Sequence, residues 1–268
     1  MKSNNRLYAT PALEKGLDIL ELFARERGGM TKSDVARKLD RTVQEVFRML
    51  RCLEERGYIS IGEDERFRLT LHLFKLVNDY PPIQRLASEA LPIMHELAHE
   101  LNQSCHLGVL DSGEIVIVAQ VDTPRSPRLS VKLGSVVDLM HAATGYVILA
   151  HQPVEVFDRA IAAWRQKTRQ PLPRDLKNHL LMIKNVGYEE KASYEIQGVT
   201  NFSYPILDEN GFAVAALTVP HLKRIGDKPN HDAVHRSLAA AANKLSEKIG
   251  GNGSPSAKSK HSSASPLS

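Results

Sequence analysis

The sequence predicts an α+β fold divided between two domains, and three observations support this. The chain has 268 residues, which is enough for two domains that each bury a hydrophobic core. Residues 10–70 show three helical apolar periods followed by two short β-prone runs. Over residues 91–250, β-prone runs joined by turn signals alternate with helical segments, which is typical of an α/β domain with a mainly antiparallel sheet. Residues 71–90 join the two domains as a predicted linker helix.

Composition indicates a globular chain and argues against several classes of protein. Apolar residues make up 42% of the sequence and charged residues 25%, as in ordinary globular domains. No apolar run approaches the roughly 18 residues needed to span a bilayer, and the first residues lack the apolar core of a secretory signal. We therefore expect a cytoplasmic protein with no membrane partner.

The cysteine count and the net charge bear on which metals, cofactors and partners the chain could bind. Cys52 and Cys105 are far apart and fit no metal-binding or redox spacing, so we expect neither a metal nor a cofactor. The net charge of +4 permits a polyanionic partner but does not by itself indicate one.

Capping residues mark three helix starts in the first domain. Thr10 precedes a proline, which is favoured at the first helical position, and Gly28-Gly29 ends that segment. Thr31 stands three residues before an aspartate, and Thr42 stands three residues before Glu45, so both resemble capping boxes. The third helix has apolar residues at i, i+3, i+4 and i+7, namely Val46, Met49, Leu50 and Leu53.

Two β-prone runs follow the third helix. Residues 58–61 and 66–69 flank a polar turn that begins at Gly62, which predicts a hairpin. Three short helices followed by a hairpin is the element order of a winged helix-turn-helix.

The remainder of the chain predicts a linker and a second domain. The pattern is helical from residue 71 to about residue 102, with a break at Pro81-Pro82. Residues 1–9 and 251–268 are polar and are expected to be disordered. The predicted strands are 106–110, 114–121, 129–133, 199–207 and 212–220, and the predicted helices are 142–150, 153–164, 175–185 and 232–249.

The helix over residues 42–56 is the predicted DNA-reading element, because the second helix of a helix-turn-helix enters the major groove. Glutamine recognises adenine and arginine recognises guanine. Arg66 and Arg68 in the hairpin are expected to contact phosphates. The alternative is a winged helix that binds another protein and leaves these residues as a solvated face. The predicted contacts at and near this helix are Arg41, Thr42, Val43, Gln44, Arg48 and Arg51.

Several segments resemble the IclR family of transcription regulators. They are residues 12–20 (ALEKGLDIL), residues 47–58 (FRMLRCLEERGY), and the Gly-Tyr, Gly-Val and Tyr-Pro-Ile motifs at 187–188, 198–199 and 204–206. The resemblance extends over about residues 10–250. It implies a homodimer, often paired into a tetramer, and an effector domain related to GAF/profilin-like sensors. Where the family usually has small residues ahead of the recognition arginine, this chain has Gln44-Glu45.

The resemblance also implies a small-molecule site in the second domain. A helix start with free N–H groups suits an anion. Where relatives often carry an acidic residue this chain has Lys191, and where many carry cysteine it has Asn201, so we expect a small organic anion. The alternative for Lys191 is a side chain that points to solvent. The positions matching the family's site are Ala142, Ala143, Thr144, Gly145, Lys191, Asn201 and Thr218.

Residues 95–99 spell His-Glu-Leu-Ala-His, which matches the HExxH signature of zinc peptidases on a predicted helix. The chemistry needs a third ligand, but Cys105 stands where the metzincin extension has its third histidine. We therefore keep a zinc peptidase at His95 and His99 as an alternative and interpret the motif as a chance match.

These observations together predict a regulator and not an enzyme. A dimer places two recognition helices on a palindromic operator in double-stranded DNA. A small organic acid then modulates operator binding through different affinities for two states of the protein.

Overall fold

The computed structural model describes residues 10–251 except Arg27, Tyr80, Ile225 and residues 227–229. The chain divides into two compact units, with the division between Gln84 and Arg85. The predictions of disorder for residues 1–9 and for the tail after residue 251 fall outside the described residues. The predicted α+β class with two domains is confirmed.

The first unit follows the predicted order of three helices and a hairpin. The two strands pair antiparallel, with Ile59 opposite Leu69, and Met30 adds an isolated bridge to Phe67. This is the winged helix-turn-helix arrangement that the sequence predicts. Its elements are α1 (Pro11–Arg25), α2 (Lys32–Lys38), α3 (Val43–Glu55), β1 (Ile59–Ile61), β2 (Phe67–Leu69) and α4 (His72–Asn78).

All three predicted N-cap residues are confirmed, and two of them form the predicted capping boxes. The Thr31 hydroxyl accepts from the N–H of Asp34, and the Asp34 carboxylate accepts from the N–H of Thr31. Thr42 and Glu45 make the same reciprocal pair at the start of α3. Thr10 is the N-cap residue of α1 and Pro11 follows at the first helical position, as predicted, although the Thr10 side chain makes no capping hydrogen bond.

The second unit contains a six-stranded sheet and the remaining helices. The strand order is β5-β4-β3-β8-β7-β6, and every neighbouring pair is antiparallel, which confirms the mainly antiparallel prediction. The elements are α5 (Pro81–Leu101), β3 (Cys105–Asp111), β4 (Glu114–Val121), β5 (Val136–Val137), α6 (Ala143–Ala150), α7 (Val154–Thr168), α8 (Leu176–Val186), β6 (Glu189–Ala192), β7 (Val199–Leu207), β8 (Ala213–Leu222) and α9 (His231–Lys248).

Alternation along the strands gives the sheet two covered faces. On β3, Cys105 and Leu107 join a hydrophobic cluster with residues of α5 and α9. Gly108, which follows Leu107, faces the opposite side, where an added Cβ would lie 2.8 Å from Cγ2 of Thr144 on α6. A second cluster on that side combines α6, α7 and α8 with sheet residues such as Ile117. The sheet therefore lies between two helical layers, and polar residues at alternate strand positions are directed toward α6.

The structure corrects two strand predictions. Residues 129–133 form no strand. The backbone of Ile117 on β4 bonds to Gly134 and Ser135, so β4 meets the segment just after the predicted one, and the strand there is the short β5. Strand β6 was not predicted, because its sequence Glu-Glu-Lys-Ala lacks β-branched and aromatic residues.

The segment predicted as one linker helix, residues 71–90, comprises α4 and the first part of α5. Leu86 and Ala90 are buried in the core of the second unit, so that unit begins before the predicted boundary at residue 91. Among the described residues, no helix is both long and apolar enough to cross a membrane.

Gly145 permits the close approach of α6 to the chain that precedes it. A Cβ at this position would lie 2.2 Å from the carbonyl oxygen of Leu139, a backbone atom that cannot rotate away. We predict that Gly145→Ala lowers the free energy of unfolding of the second unit by about 1–3 kcal/mol, the usual cost of overpacking.

Chemical denaturation followed by circular dichroism measures this effect. Gly16→Ala is the matched control, because Gly16 lies inside α1 with no atom within 4 Å of an added Cβ. The control should raise stability by up to about 1 kcal/mol through its higher helix propensity. If the Gly145→Ala protein is as stable as wild type, then the close approach of residue 145 to the Leu139 carbonyl does not require glycine.

Candidate DNA-binding surface and effector cavity

The carboxylate at the start of α3 is engaged within its own unit. Glu45 accepts from the N–H and the hydroxyl of Thr42 at 3.2 and 3.0 Å. The Lys15 ammonium on α1 lies 2.6 Å from its Oε1. The hydrogen bond from Lys15, followed by those from Thr42, lowers the pKa of Glu45 to about 2. Its charge is thus balanced by Lys15, so Glu45 is not an unpaired anion at the start of α3.

The first two turns of α3 present an exposed face opposite the buried stripe. Arg48 on this face has no hydrogen-bond or ion-pair partner among the residues that the structure describes. Phe47 is also exposed, with the Lys32 ammonium 5.7 Å from its ring centre. Sequence reasoning missed Phe47, although it follows Val43 by four residues on one helix face. Four predicted contacts lie exposed at this end: Thr42, Val43, Gln44 and Arg48.

The other four predicted arginines are held by contacts within the first unit. A guanidinium that is already positioned loses less rotamer freedom when it meets a phosphate. Their partners are an Asp18 oxygen 3.2 Å from Arg41, a Glu54 oxygen 2.8 Å from Arg51, the Gly29 carbonyl 3.1 Å from Arg66, and an Asp64 oxygen 2.9 Å from Arg68.

The second unit contains a cavity of about 340 Å³ between the sheet and the start of α6. Five of the seven predicted effector positions line it, and the structure brings them together from α6, β7 and β8. Its rim includes the exposed charged residues Lys132 and Glu195. The lining positions that were predicted are Ala142, Ala143, Thr144, Asn201 and Thr218.

The start of α6 presents unpaired donors to this cavity. Ala142 is the N-cap residue and has no side chain with which to cap the helix, and the first turn contains no acidic residue. Within the described part of the chain, the N–H groups of Ala143 and Thr144 have no hydrogen-bond acceptor. A helix N-terminus with free N–H groups carries a partial positive charge and favours an anion.

Three buried hydroxyls form a chain, and two of them, those of Thr144 and Thr218, belong to residues that line the cavity. The Thr218 hydroxyl lies 2.8 Å from the Thr144 hydroxyl and 2.8 Å from that of Ser203. Thr218 and Ser203 are cross-strand partners on β8 and β7, and the helix contributes Thr144. The chain joins the two strands to the first turn of α6.

Two predicted effector positions do not line the cavity. Gly145 packs against the Leu139 backbone, as described above. The Lys191 ammonium lies 4.4 Å from the ring centre of Tyr146, and burial lowers the pKa of this lysine while Glu189 opposes the shift. Lys191 therefore packs against Tyr146 of α6 and does not line the cavity.

Sequence reasoning missed His106, which lines the cavity from β3. Its side chain is buried, and its Nδ1 has no hydrogen-bond partner in the described part of the protein. Burial lowers the pKa of His106 to about 4, so the imidazole is neutral at pH 7. The available signal was strand alternation, because His106 falls between the core residues Cys105 and Leu107 and must face the other side.

The HExxH segment lies on the exposed side of α5. His95, Glu96 and His99 are all exposed, and Glu96 forms an ion pair with Lys244 at 2.8 Å. Among the described residues, no group of three His, Cys, Asp or Glu side chains is arranged to hold a metal ion. The geometry thus offers no third ligand to these two histidines.

Comparison with known proteins agrees with this geometry. Residues 12–60 match the IclR helix-turn-helix domain, and residues 82–247 match the bacterial transcriptional regulator IclR C-terminal domain. A glycerol operon regulatory protein of Streptomyces coelicolor is 28% identical over 242 residues, which cover 87% of this chain and 95% of that protein.

Solved structures give the same result. The Thermotoga maritima IclR structure is 27% identical, with a TM-score of 0.68, and the match covers 89% of this chain and 98% of that one. An IclR homologue from Microbacterium hydrocarbonoxydans complexed with 4-hydroxybenzoate has a TM-score of 0.72 over 89% of this chain and 98% of that chain. At 21% identity, that second likeness shows only the shared fold.

Both domains are matched in the expected order, and the relatives are named as regulators and not as enzymes. The chain belongs to the IclR family of bacterial transcriptional regulators, with a helix-turn-helix DNA-binding domain followed by an effector-binding domain.

Proposed function

We propose that the chain binds a palindromic operator as a homodimer in the cytoplasm, and that a small organic anion in the second-unit cavity changes its operator affinity. The observation that carries the DNA part of the proposal is the pair Gln44 and Arg48 on α3. They lie one helical turn apart, both are exposed, and Arg48 is unpaired among the described residues. The alternative is that the winged helix binds another protein and not DNA, and a DNA-binding measurement distinguishes the two.

The chemistry of α3 suits base readout in a major groove. Gln44 can bond to an adenine edge and Arg48 to a guanine edge, and Phe47 can pack on a thymine methyl group. The four arginines held by intradomain contacts are assigned to the phosphate backbone, where positioned charge matters more than base identity.

The cavity suits a small anion with a carboxylate. Its size fits a small organic acid, and the free N–H groups of Ala143 and Thr144 supply donors without a competing acid in the first turn of α6. Asn201 and the Thr218 hydroxyl add neutral polar groups. In this proposal Gly145 and Lys191 act on α6 and do not touch the ligand.

The homodimer is supported by exposed apolar side chains around α4. Most residues of this short helix are apolar, yet several apolar side chains here lie in water: Leu71 is 72% exposed, Val77 is 61% exposed and Leu76 is 45% exposed. Large exposed apolar residues on one short element are typical of a surface that a second chain covers. We assign this surface to a second copy of the chain, and two such dimers can pair into a tetramer.

We predict that Arg48→Ala weakens binding to a specific operator about ten- to a hundredfold, the cost of roughly 1–3 kcal/mol for a lost bidentate base contact. Because Arg48 is exposed, its removal should leave the melting temperature unchanged. Fluorescence anisotropy on promoter-region fragments from the neighbouring operon, at moderate salt, measures both affinity and sequence preference.

Arg56→Ala is the charge-matched control, since Arg56 is exposed at the opposite end of α3. It should lose affinity only slightly and equally for all sequences, as expected for non-specific attraction. Equal effects of the two variants, or no DNA binding by wild type, would contradict the assignment of α3 as the reading helix.

We predict that Val77→Glu shifts the protein from a dimer or tetramer toward a monomer, because a buried unpaired carboxylate is strongly disfavoured at an apolar interface. Light scattering coupled to size-exclusion chromatography measures the mass. Leu133→Glu is the control, because Leu133 is 60% exposed in a loop of the second unit. A dimer that survives Val77→Glu would move the interface away from α4.

A further inference from the structure

His106 is a buried polar group that the protein leaves unsatisfied at the wall of the cavity. The residue is 6% exposed, and its Nδ1 has no partner among the described residues. The Ser135 hydroxyl, also on the cavity lining, is likewise buried without a partner there. An unsatisfied buried polar atom is costly, so two of them on residues that line one cavity point to a wall built to meet a polar ligand.

These groups face the same space as the first turn of α6. His106 and Thr218 are paired positions on β3 and β8, and Thr218 bonds to Thr144 at 2.8 Å. The cavity lining therefore combines the first turn of α6, whose N–H groups lack an acceptor among the described residues, with the neutral imidazole of His106 and the hydroxyl of Ser135. Donors at the helix start favour a carboxylate, and a carboxylate needs several such partners when it leaves water.

The groups around His106 determine whether its ring gains a proton when an anion binds. On β4 its cross-strand partner is the neutral Gln120, whose buried Oε1 also lacks a donor among the described residues. Thr218 and Thr144 are neutral hydroxyls. The titratable groups on the lining are Lys132 and Glu195, which are exposed, and Tyr194, whose pKa is raised to about 12, chiefly by burial.

We propose, as a refinement of the effector function above, that the ligand is a small carboxylate and that its binding is coupled to the uptake of one proton by His106. The proton comes from solvent and adds to the imidazole nitrogen that carries none, so the ring has two N–H donors and no covalent bond to the ligand forms. The resulting imidazolium balances the charge of the buried carboxylate.

The sign of the coupling follows from linkage. In the free protein, burial keeps the ring neutral at pH 7, because the pKa of His106 is near 4. The bound anion favours the charged ring and raises that pKa, so affinity increases as pH falls. Between the two pKa values, affinity should rise about tenfold for each unit of decreasing pH. The ligand carboxyl itself is ionised above about pH 5.5, so it does not contribute to this slope.

The experiment is calorimetric titration of the full chain with acetate, pyruvate and benzoate at up to tens of millimolar. Each titration is repeated near neutral pH in two buffers with different ionisation enthalpies, which gives the number of protons taken up. We expect close to one proton per carboxylate bound, and an affinity that rises between about pH 8 and 5.5. Acetamide and benzamide, which are neutral, should bind weakly or not at all and without proton uptake.

His106→Asn tests the assignment to this side chain, since an amide keeps hydrogen-bonding capacity but cannot take up a proton. We expect it to abolish proton uptake and to flatten the pH dependence of affinity. His99→Asn is the matched control, because His99 is exposed on α5 and outside the cavity. It should behave as wild type. If His106→Asn does not fold, the proton count of the wild-type protein still decides the question.

Carboxylate binding without proton uptake, or uptake that persists in His106→Asn, would overturn the coupling while leaving the anionic effector in place. Binding of the amides as tight as that of the acids, or no binding by any of the three acids, would overturn the ligand class as well. Operator binding by the free protein is measured in parallel. Its loss would contradict the DNA part of the proposed function and is independent of these outcomes.

Discussion

The complete burial of α6 determines the arrangement of the second unit. All eight residues of this helix are buried, so it contacts protein on every side instead of resting on the sheet with one face in water. Such a helix must bring its first turn, with unpaired N–H groups, into the interior. The absence of a Cβ at Gly145 permits this deep packing. The polar side chains of β3, β7 and β8 then lie beside the first turn of α6. The cavity is therefore a consequence of how α6 is packed.

Electrostatics organise the first unit in a comparable way. Lys15 and Asp18 on α1 pair with Glu45 at the start of α3 and with Arg41 just before it, respectively. These two pairs join α1 to the start of α3 and balance the charges of Glu45 and Arg41 within the unit. Arg48, on the exposed face of α3, is then a cation with no ion-pair partner among the residues that the structure describes.

Much of the architecture could be predicted from local signals, because those signals have local causes. The capping boxes at Thr31 and Thr42 act within one helical turn, and strand alternation with a turn sequence defines β7 and β8. The misplaced strand at 129–133 and the missed β6 have a different origin. Both depend on which neighbouring edge offers free backbone groups, as the bonds from Ile117 show, and this is a long-range property. Lys191 was matched by position, but its direction is set by Tyr146, which sequence spacing does not reveal. His106 could have been found from alternation.

The hydroxyl chain of Thr144, Thr218 and Ser203 has a consequence for the chemistry that the cavity can accept. Each hydroxyl has one proton and two lone pairs, so Thr218 can donate to one neighbour while it accepts from the other, and the chain then has a direction. With the protons ordered from Ser203 toward Thr144, the hydroxyl on α6 offers a donor to the cavity. With the order reversed, it offers an acceptor. Three O–H rotations exchange these two orders without moving a heavy atom, so one rigid wall presents two complementary hydrogen-bonding faces.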